Sequence, residues 1–463
     1  MFQQVNRDTF FCDRQVLILI FLVALLIRVV FIFTLKDGFY FSDEFNYTVI
    51  ARHVAEHAAL PENFDRSPLF PMFLAALFKF GGESLFYIRA VQAVVGAIIA
   101  VQIALIGRRV GGSFVGVVAG TLWAIYPMGI FMSGILYPAI ILACLMTSAV
   151  LCLLAKPDGP AYVAWVALAG LLLGAATLAK PMAFASIVFV AFWLLVQKKP
   201  GRLLLVSVFL CTAFMSLLPW TVHNAVKHGK FIPVESRALD KLVPWAKQPK
   251  APVIADKRNR EPLPQVKANN TSMAHSKAKI IDGKPEHRPL VQAKRNSSPD
   301  TQDTQDTQDT ANNELGAMFT QMAKRYPGEF LSFFEIYPTR VGFLNQAHRE
   351  KARRKKTERF IRYIPFGSDL VMAVSMLSVG SLYLFAVVGV ASMWRGREKR
   401  RELSLFILLV LSFALSYALS WGKIRYRVPV DPYIILLSAW GVVACWNKVF
   451  KKEPTALPHQ DAA

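Results

Sequence analysis

The sequence predicts an all-α polytopic membrane protein: about ten transmembrane helices in a bundle, with short interfacial helices on its outer face. Three observations predict it. Of 463 residues, 54% are hydrophobic and 34 are Phe, and these fall in repeated solid apolar runs rather than in the alternating faces of a soluble globule. Apolar runs of about 17–25 residues are what a helix needs to cross a bilayer. Basic clusters then recur after every second or fourth run, and the unusual polar residues gather at the opposite ends.

In chain order the candidate spans are 16–35, 88–106, 114–132, 136–155, 162–179, 182–197, 203–222, 369–393, 403–421 and 429–447. The first is too long, and lacks the small-residue cleavage site, for a removable signal peptide. Arg108–Arg109, Lys198–Lys199 with Arg202, Arg395 to Arg401 and Lys448 to Lys452 each follow an even-numbered span. The positive-inside rule places all four, and the N-terminus, in the cytoplasm. The net charge of +22 therefore reads as topology plus attraction to anionic lipid rather than nucleic-acid binding.

Three parts follow. Residues 1–222 form an N-terminal transmembrane module with a first outer loop at 36–87. Residues 223–368 form an outer connection, and 369–463 hold the last spans and a cytoplasmic tail. Within the first loop, 45–58 has an apolar face of Tyr47, Ile50, Ala51, Val54 and Ala55 and reads as a short interfacial helix. Residues 69–80 are too short to span and read as interfacial or re-entrant. Residues 250–313 carry almost no large apolar side chains and are expected to be disordered. Residues 314–347 recover an amphipathic pattern. The basic run Arg349 to Arg362 falls outside against the positive-inside trend: either it counters anionic headgroups or substrate phosphates, or the count of spans is off by one. The five cysteines have no metal-type spacing and read as small core hydrophobes.

The first outer loop carries the chemistry. Asp43 and Glu44 appear where the chain has just left lipid, and charges beside a bilayer are costly unless they serve a site or find partners. An alternative reading makes Ser42 or Asp43 a helix cap, with Glu44 favouring the helix dipole. On the same side fall Arg66, Arg89, Lys180, His223, Arg425 and Arg427. Lys180 is either a snorkelling anchor or a phosphate ligand, and Arg66 either a headgroup anchor or a site residue. The loop at 422–432 places Lys423, Arg425 and Arg427 within five residues, an anion-binding feature or a plain anchor. His53 and His57 have an i, i+4 spacing but no third ligand, so a solvated helix face is the simpler reading. A carboxylate pair beside several cations suits a reaction with an anionic leaving group.

Asp43-Glu44-x-x-Tyr47 after the first span resembles the acidic motif of the GT-C membrane glycosyltransferases, among them the protein O-mannosyltransferases and the lipid A aminoarabinose transferases. Arg66-Ser-Pro-Leu-Phe-Pro71 resembles their Arg/Lys-x-Pro-Leu-Tyr segment, with Gly81-Gly82 and Arg89 following. Leu178-Ala-Lys180-Pro181, Pro219-Trp220-x-x-His223-Asn224 and Arg425-Tyr426-Arg427-x-Pro429 are also similar to family patterns. The likeness covers 10–235 well and 369–447 weakly. His223 stands where many relatives carry Arg.

The resemblance implies inverting transfer of a sugar from a polyprenyl-phosphate donor to an extracytoplasmic acceptor: a lipid, glycan or protein. It implies Asp43 as the general base, with Glu44 binding acceptor, orienting Asp43 or holding a metal. Arg66, Lys180, Arg425 and Arg427 are the implied donor-phosphate contacts, and Tyr47, Arg89, His223 and Asn224 the substrate contacts. No cofactor is expected, with divalent metal dependence left open. The expected setting is a bacterial inner membrane, with anionic lipids around the chain and the site facing the periplasm. A flippase or transporter for lipid-linked saccharides is the rival class; it predicts paired broken helices or mid-membrane charges. A glycan ligase is a third.

Overall fold

The structure, a computed structural model, describes residues 14–61, 66–155, 160–197, 201–229, 232–235, 331, 333–334, 368–420 and 426–450. The 250–313 segment, the basic run 349–362 and Arg425 lie outside the described residues. All described residues belong to one unit, formed by 1–242 and 323–463.

Every described secondary-structure element is helical. The helices are α1 (Arg14–Thr34), α2 (Ser42–His57), α3 (Leu69–Gly81), α4 (Leu85–Gly111), α5 (Ser113–Ala124), α6 (Pro127–Ser133), α7 (Ala139–Leu153), α8 (Pro160–Ala179), α9 (Phe184–Val196, entered by a 3₁₀ turn at Pro181–Ala183), α10 (Arg202–His228), α11 (Ser368–Arg395), α12 (Arg400–Ser420) and α13 (Asp431–Phe450). Each of the ten apolar runs falls on helix. Seven helices are by themselves long and apolar enough to cross a membrane, or eight if the bent pair α5–α6 is one span. The α7 and Pro181–Val196 helices are shorter. At about 1.5 Å per residue, the 15 residues of α7 reach only part of the way across.

Without a hydrophobic drive between helices in lipid, close approach at small residues does the packing. Gly170 and Gly174, one turn apart on α8, let α10 in; a Cβ on Gly174 would lie 2.5 Å from the Ala213 carbonyl oxygen. Gly389 on α11 and Gly441 on α13 meet the same way, each against the opposing backbone at Leu437 or Phe385. Gly112, at φ +87°, turns α4 into α5 with a single residue, a conformation open to glycine at little cost.

The 55° bend between α5 and α6 has an identifiable cause. Pro127 has no N–H to donate into the preceding turn, so the Trp123 carbonyl loses its regular α-helical donor and is left with the Tyr126 amide at 3.2 Å. Arg28 of α1, fully buried, supplies replacements. Its Nη2 donates to the Trp123 carbonyl at 3.3 Å and its Nη1 to those of Ala124 at 3.3 Å and Ala24 at 2.9 Å. The same guanidinium sits 5.9 Å from the Trp123 ring. A charge inside an apolar span is tolerated because backbone at a break must be satisfied somewhere in lipid.

Helix α2 begins at Ser42, three residues before the apolar pattern suggests, so Ser42 and Asp43 fall within its first turn and the N-cap position is Phe41. The cap comes from Glu44. Its Oε1 accepts from the Tyr40 and Phe41 amides at 2.8 Å, and its Oε2 from the Leu136 amide at 3.1 Å. One carboxylate thus closes the helix start and ties it to the segment between α6 and α7. An ion pair of Arg52 with Glu83 at 2.5 Å holds α2 against the turn between α3 and α4.

Candidate active site

Asp43 projects from the first turn of α2 and faces Arg66, which enters just ahead of α3; Nη1 lies 3.6 Å from Oδ1. The Asp43 side chain keeps 26% of its surface exposed and Arg66 10%, so the pair is held yet reachable. Arg66 also lies over the Tyr47 ring, 5.0 Å from its centre. Tyr47 is one turn along α2 from Asp43 and is itself buried. Its ring meets Phe70 at 5.1 Å and Tyr137 at 6.2 Å.

Tyr137 extends the site toward Lys180. The Lys180 ammonium, at the break between α8 and the following 3₁₀ turn, is 5.8 Å from the Tyr137 ring centre and 5.3 Å from that of Tyr426. These two rings stack on each other at 6.3 Å. A cation over aromatic faces is stabilised by the negative faces of the rings. Burial by itself lowers the Lys180 pKa, but Tyr137, Tyr47, Tyr426 and the Glu235 carboxylate outweigh it and carry the pKa well above the usual lysine value. The structure brings Asp43, Arg66, Tyr47 and Lys180 into one continuous aromatic and ionic cluster, from loops separated by more than a hundred residues.

Glu44 has a different place. It is fully buried with both oxygens taken by backbone amides. Burial raises its pKa, while the amides of Leu136, Phe41 and Tyr40 and the Arg89 charge pull it back. Its geometry fits orienting Asp43, the residue beside it. Arg89, 2% exposed, braces the turn before α2 through the Lys36 and Gly38 carbonyls at 3.3 and 2.8 Å.

The Pro219-Trp220-x-x-His223-Asn224 motif lies in the last turns of α10 and grips the returning segment at 232–235. Trp220 Nε1 donates to the Val234 carbonyl at 2.8 Å, Thr221 Oγ1 to that of Pro233 at 3.0 Å and Asn224 Nδ2 to that of Ile232 at 3.0 Å. Asn224 is buried by this contact, while His223 is exposed and stacks on Trp220 at 5.2 Å. The grip delivers Glu235 to the site, where Ser67 Oγ donates to its Oε2 at 3.1 Å.

Arg427 is 1% exposed. Its Nε pairs with Asp431 Oδ1 at 2.9 Å and its Nη1 donates to Tyr383 Oη at 2.6 Å. Asp431 also accepts from Tyr126 Oη at 2.8 Å. This network joins the α5–α6 break, α11 and α13, so Arg427 could meet a phosphate only by leaving it. Among the described residues no group of three or more His, Cys, Asp or Glu side chains converges to hold a metal. His53 and His57 stack on each other at 4.4 Å.

Sequence reasoning passed over Arg28, Glu235, Tyr137 and the Asp431 pair. Arg28 carried a signal, a lone charge inside an apolar run. Glu235 and Tyr137 carried none, because they acquire their roles only through distant contacts.

Residues 65–224 match the family described as dolichyl-phosphate-mannose-protein mannosyltransferase. A comparison with curated protein sequences finds no match. Among solved structures, ArnT from Cupriavidus metallidurans in the apo state is similar at TM-score 0.55 and 13% identity, over 93% of this chain and 61% of that one. The same protein bound to undecaprenyl phosphate gives 0.52 and 12%, with the same coverage. The oligosaccharyltransferase AglB from Archaeoglobus fulgidus, in complex with an inhibitory peptide and a dolichol-phosphate, gives 0.51 and 15%, over 94% of this chain and 50% of that one. The chain thus spans about half to three fifths of the length of the structures it matches. It is a multi-pass membrane protein with the GT-C fold, and it resembles the protein O-mannosyltransferases and ArnT.

Proposed function

We propose that the chain transfers a sugar, a hexosyl or pentosyl group, from a polyprenyl-phosphate donor to an extracytoplasmic acceptor with inversion. The observation that carries the reading is the single cluster of Asp43, Arg66 and Lys180, a reachable carboxylate beside two cations held by aromatic faces. Undecaprenyl phosphate and dolichol-phosphate in the similar structures support the donor class.

In this reading the acceptor's X–H group attacks the anomeric carbon from the side opposite the phosphate. The new bond to X forms as the bond from that carbon to the phosphate oxygen breaks, and its electron pair leaves with the lipid phosphate. The acceptor proton goes to Asp43. Arg66 and Lys180 neutralise the charge growing on the leaving phosphate, work that preorganised cations do without a cofactor. One displacement inverts the centre. Glu44 and Arg89 hold the start of α2 so that Asp43 points into the site. Tyr47 supplies a wall, His223 an exposed ring at the rim, and Arg425 beside Tyr426 a further cation for the donor phosphate. The positive-inside pattern supports a site on the extracytoplasmic face, in our reading the periplasmic face of a bacterial inner membrane, and the same basic clusters suit anionic lipid.

Mass spectrometry of extracytoplasmic glycans, lipids and polyprenyl-phosphate sugars tests this. Cells lacking the chain are expected to lose one sugar modification and accumulate the matching lipid-phosphate sugar. Unchanged profiles in both pools would contradict a transferase.

A further inference from the structure

Glu235 stands in the cation cluster with no part in the reaction just described. Its backbone is delivered there by three side chains of one helix end, Trp220, Thr221 and Asn224, which take the three consecutive carbonyls before it. Val234 is buried beneath that grip. Only the carboxylate of Glu235 continues toward the site, to Ser67 Oγ at 3.1 Å, where its charge is felt at Lys180. Ser67 directly follows Arg66 in the chain, so the carboxylate is tethered to the segment that carries one of the two cations assigned to the donor.

We propose that Glu235 is an internal counter-anion: its carboxylate, held by Ser67, stands in for the donor phosphate near Lys180 while the site is empty, and swings away when donor binds. The inference rests on Lys180 being a donor-phosphate ligand. Charge balance supports it. Asp43 and Arg66 offset one another at 3.6 Å, and Glu235 offsets Lys180. With Glu235 withdrawn, the remaining three groups carry one net positive charge, which matches the single negative charge of a phosphodiester donor. A buried ammonium left with no anion is costly, so a resident carboxylate keeps the empty site folded. Its return after transfer also helps expel the product lipid phosphate. The occupant of the site therefore competes with an acid fixed at the end of a strap, and donor affinity is set partly by that acid.

The test measures binding of undecaprenyl phosphate to the purified full chain in neutral-lipid nanodiscs, for wild type, Glu235→Gln, Ser67→Ala and Lys180→Met. Glu235→Gln keeps the shape and removes the charge. It is expected to bind about five- to tenfold tighter, the size of one partly solvated charge pair, and Ser67→Ala about twofold tighter. Lys180→Met is expected to weaken binding. Equal or weaker binding by Glu235→Gln, with Lys180→Met still impaired, overturns the counter-anion while leaving the phosphate site standing. Binding that Lys180→Met does not change overturns the phosphate site and the proposal with it. A cooperative melt of each variant in the nanodisc shows that the comparison is between folded proteins, with empty Glu235→Gln expected to melt a little below wild type.

Discussion

Asp43→Asn is expected to reduce turnover by about 10²–10⁴-fold, the range a positioned general base contributes. The substitution keeps the size of the side chain and its place in the first turn of α2, where Glu44 and not Asp43 makes the cap. Abundance and melting temperature should therefore stay at the wild-type level. Donor affinity should hold or rise slightly, because Arg66 loses the carboxylate 3.6 Å away and becomes freer for phosphate. Loss of kcat without loss of donor binding marks a base. A variant that keeps wild-type turnover assigns the proton to another group and leaves Asp43 as a partner of Arg66. Glu44→Gln makes the contrast, since it weakens acceptance from the Tyr40, Phe41 and Leu136 amides and should lower stability together with activity.

Arg427 should behave in the opposite manner. Removing one member of a buried ion pair typically costs about 3–5 kcal/mol because the other charge is left alone, and here Arg427 and Asp431 have side-chain exposures of only 2% and 4%. Arg427→Leu and Asp431→Leu should each lower the yield of folded protein and its melting temperature in detergent. The double variant should be less damaged than the sum of the two, the coupling that a double-mutant cycle reads. A folded Arg427→Leu protein with wild-type melting temperature and weak donor binding would instead make Arg427 a phosphate ligand.

The contrast between these two residues shows what was legible in the sequence. The helices were, because a bilayer admits backbone only when its hydrogen bonds close within the segment, and that demand writes long apolar runs into the chain. The start of the site was legible too. Asp43 and Arg66 flank the first outer helix, close enough in sequence for one loop to bring them together. Lys180 stood out as a cation beside a proline break. Arg427 has the same residue type and lies on the same side, yet its partner Asp431, one helical turn away, turns it into a tie between helices. Composition cannot separate these cases, since a cation in an outer loop looks alike whether a phosphate or an aspartate awaits it. Glu235 shows the limit further. Nothing around it marks a site, and only Trp220 and Asn224, read as part of a motif, explain how it arrives. Arg28 could have been found, since a charge in the first span needs a reason; the reason, the Pro127 break, lies about a hundred residues away.

The central claim is that one site holds the base and the donor phosphate. A structure of the full chain in nanodiscs with undecaprenyl phosphate tests it most directly. The phosphate should lie in ionic contact with Lys180 and Arg66, on the Asp43 side of the Tyr47–Tyr137 wall, with the Glu235 carboxylate displaced from Ser67. A phosphate bound away from Lys180, or one that opens the Arg427–Asp431 pair and leaves Asp43 remote, would contradict the account.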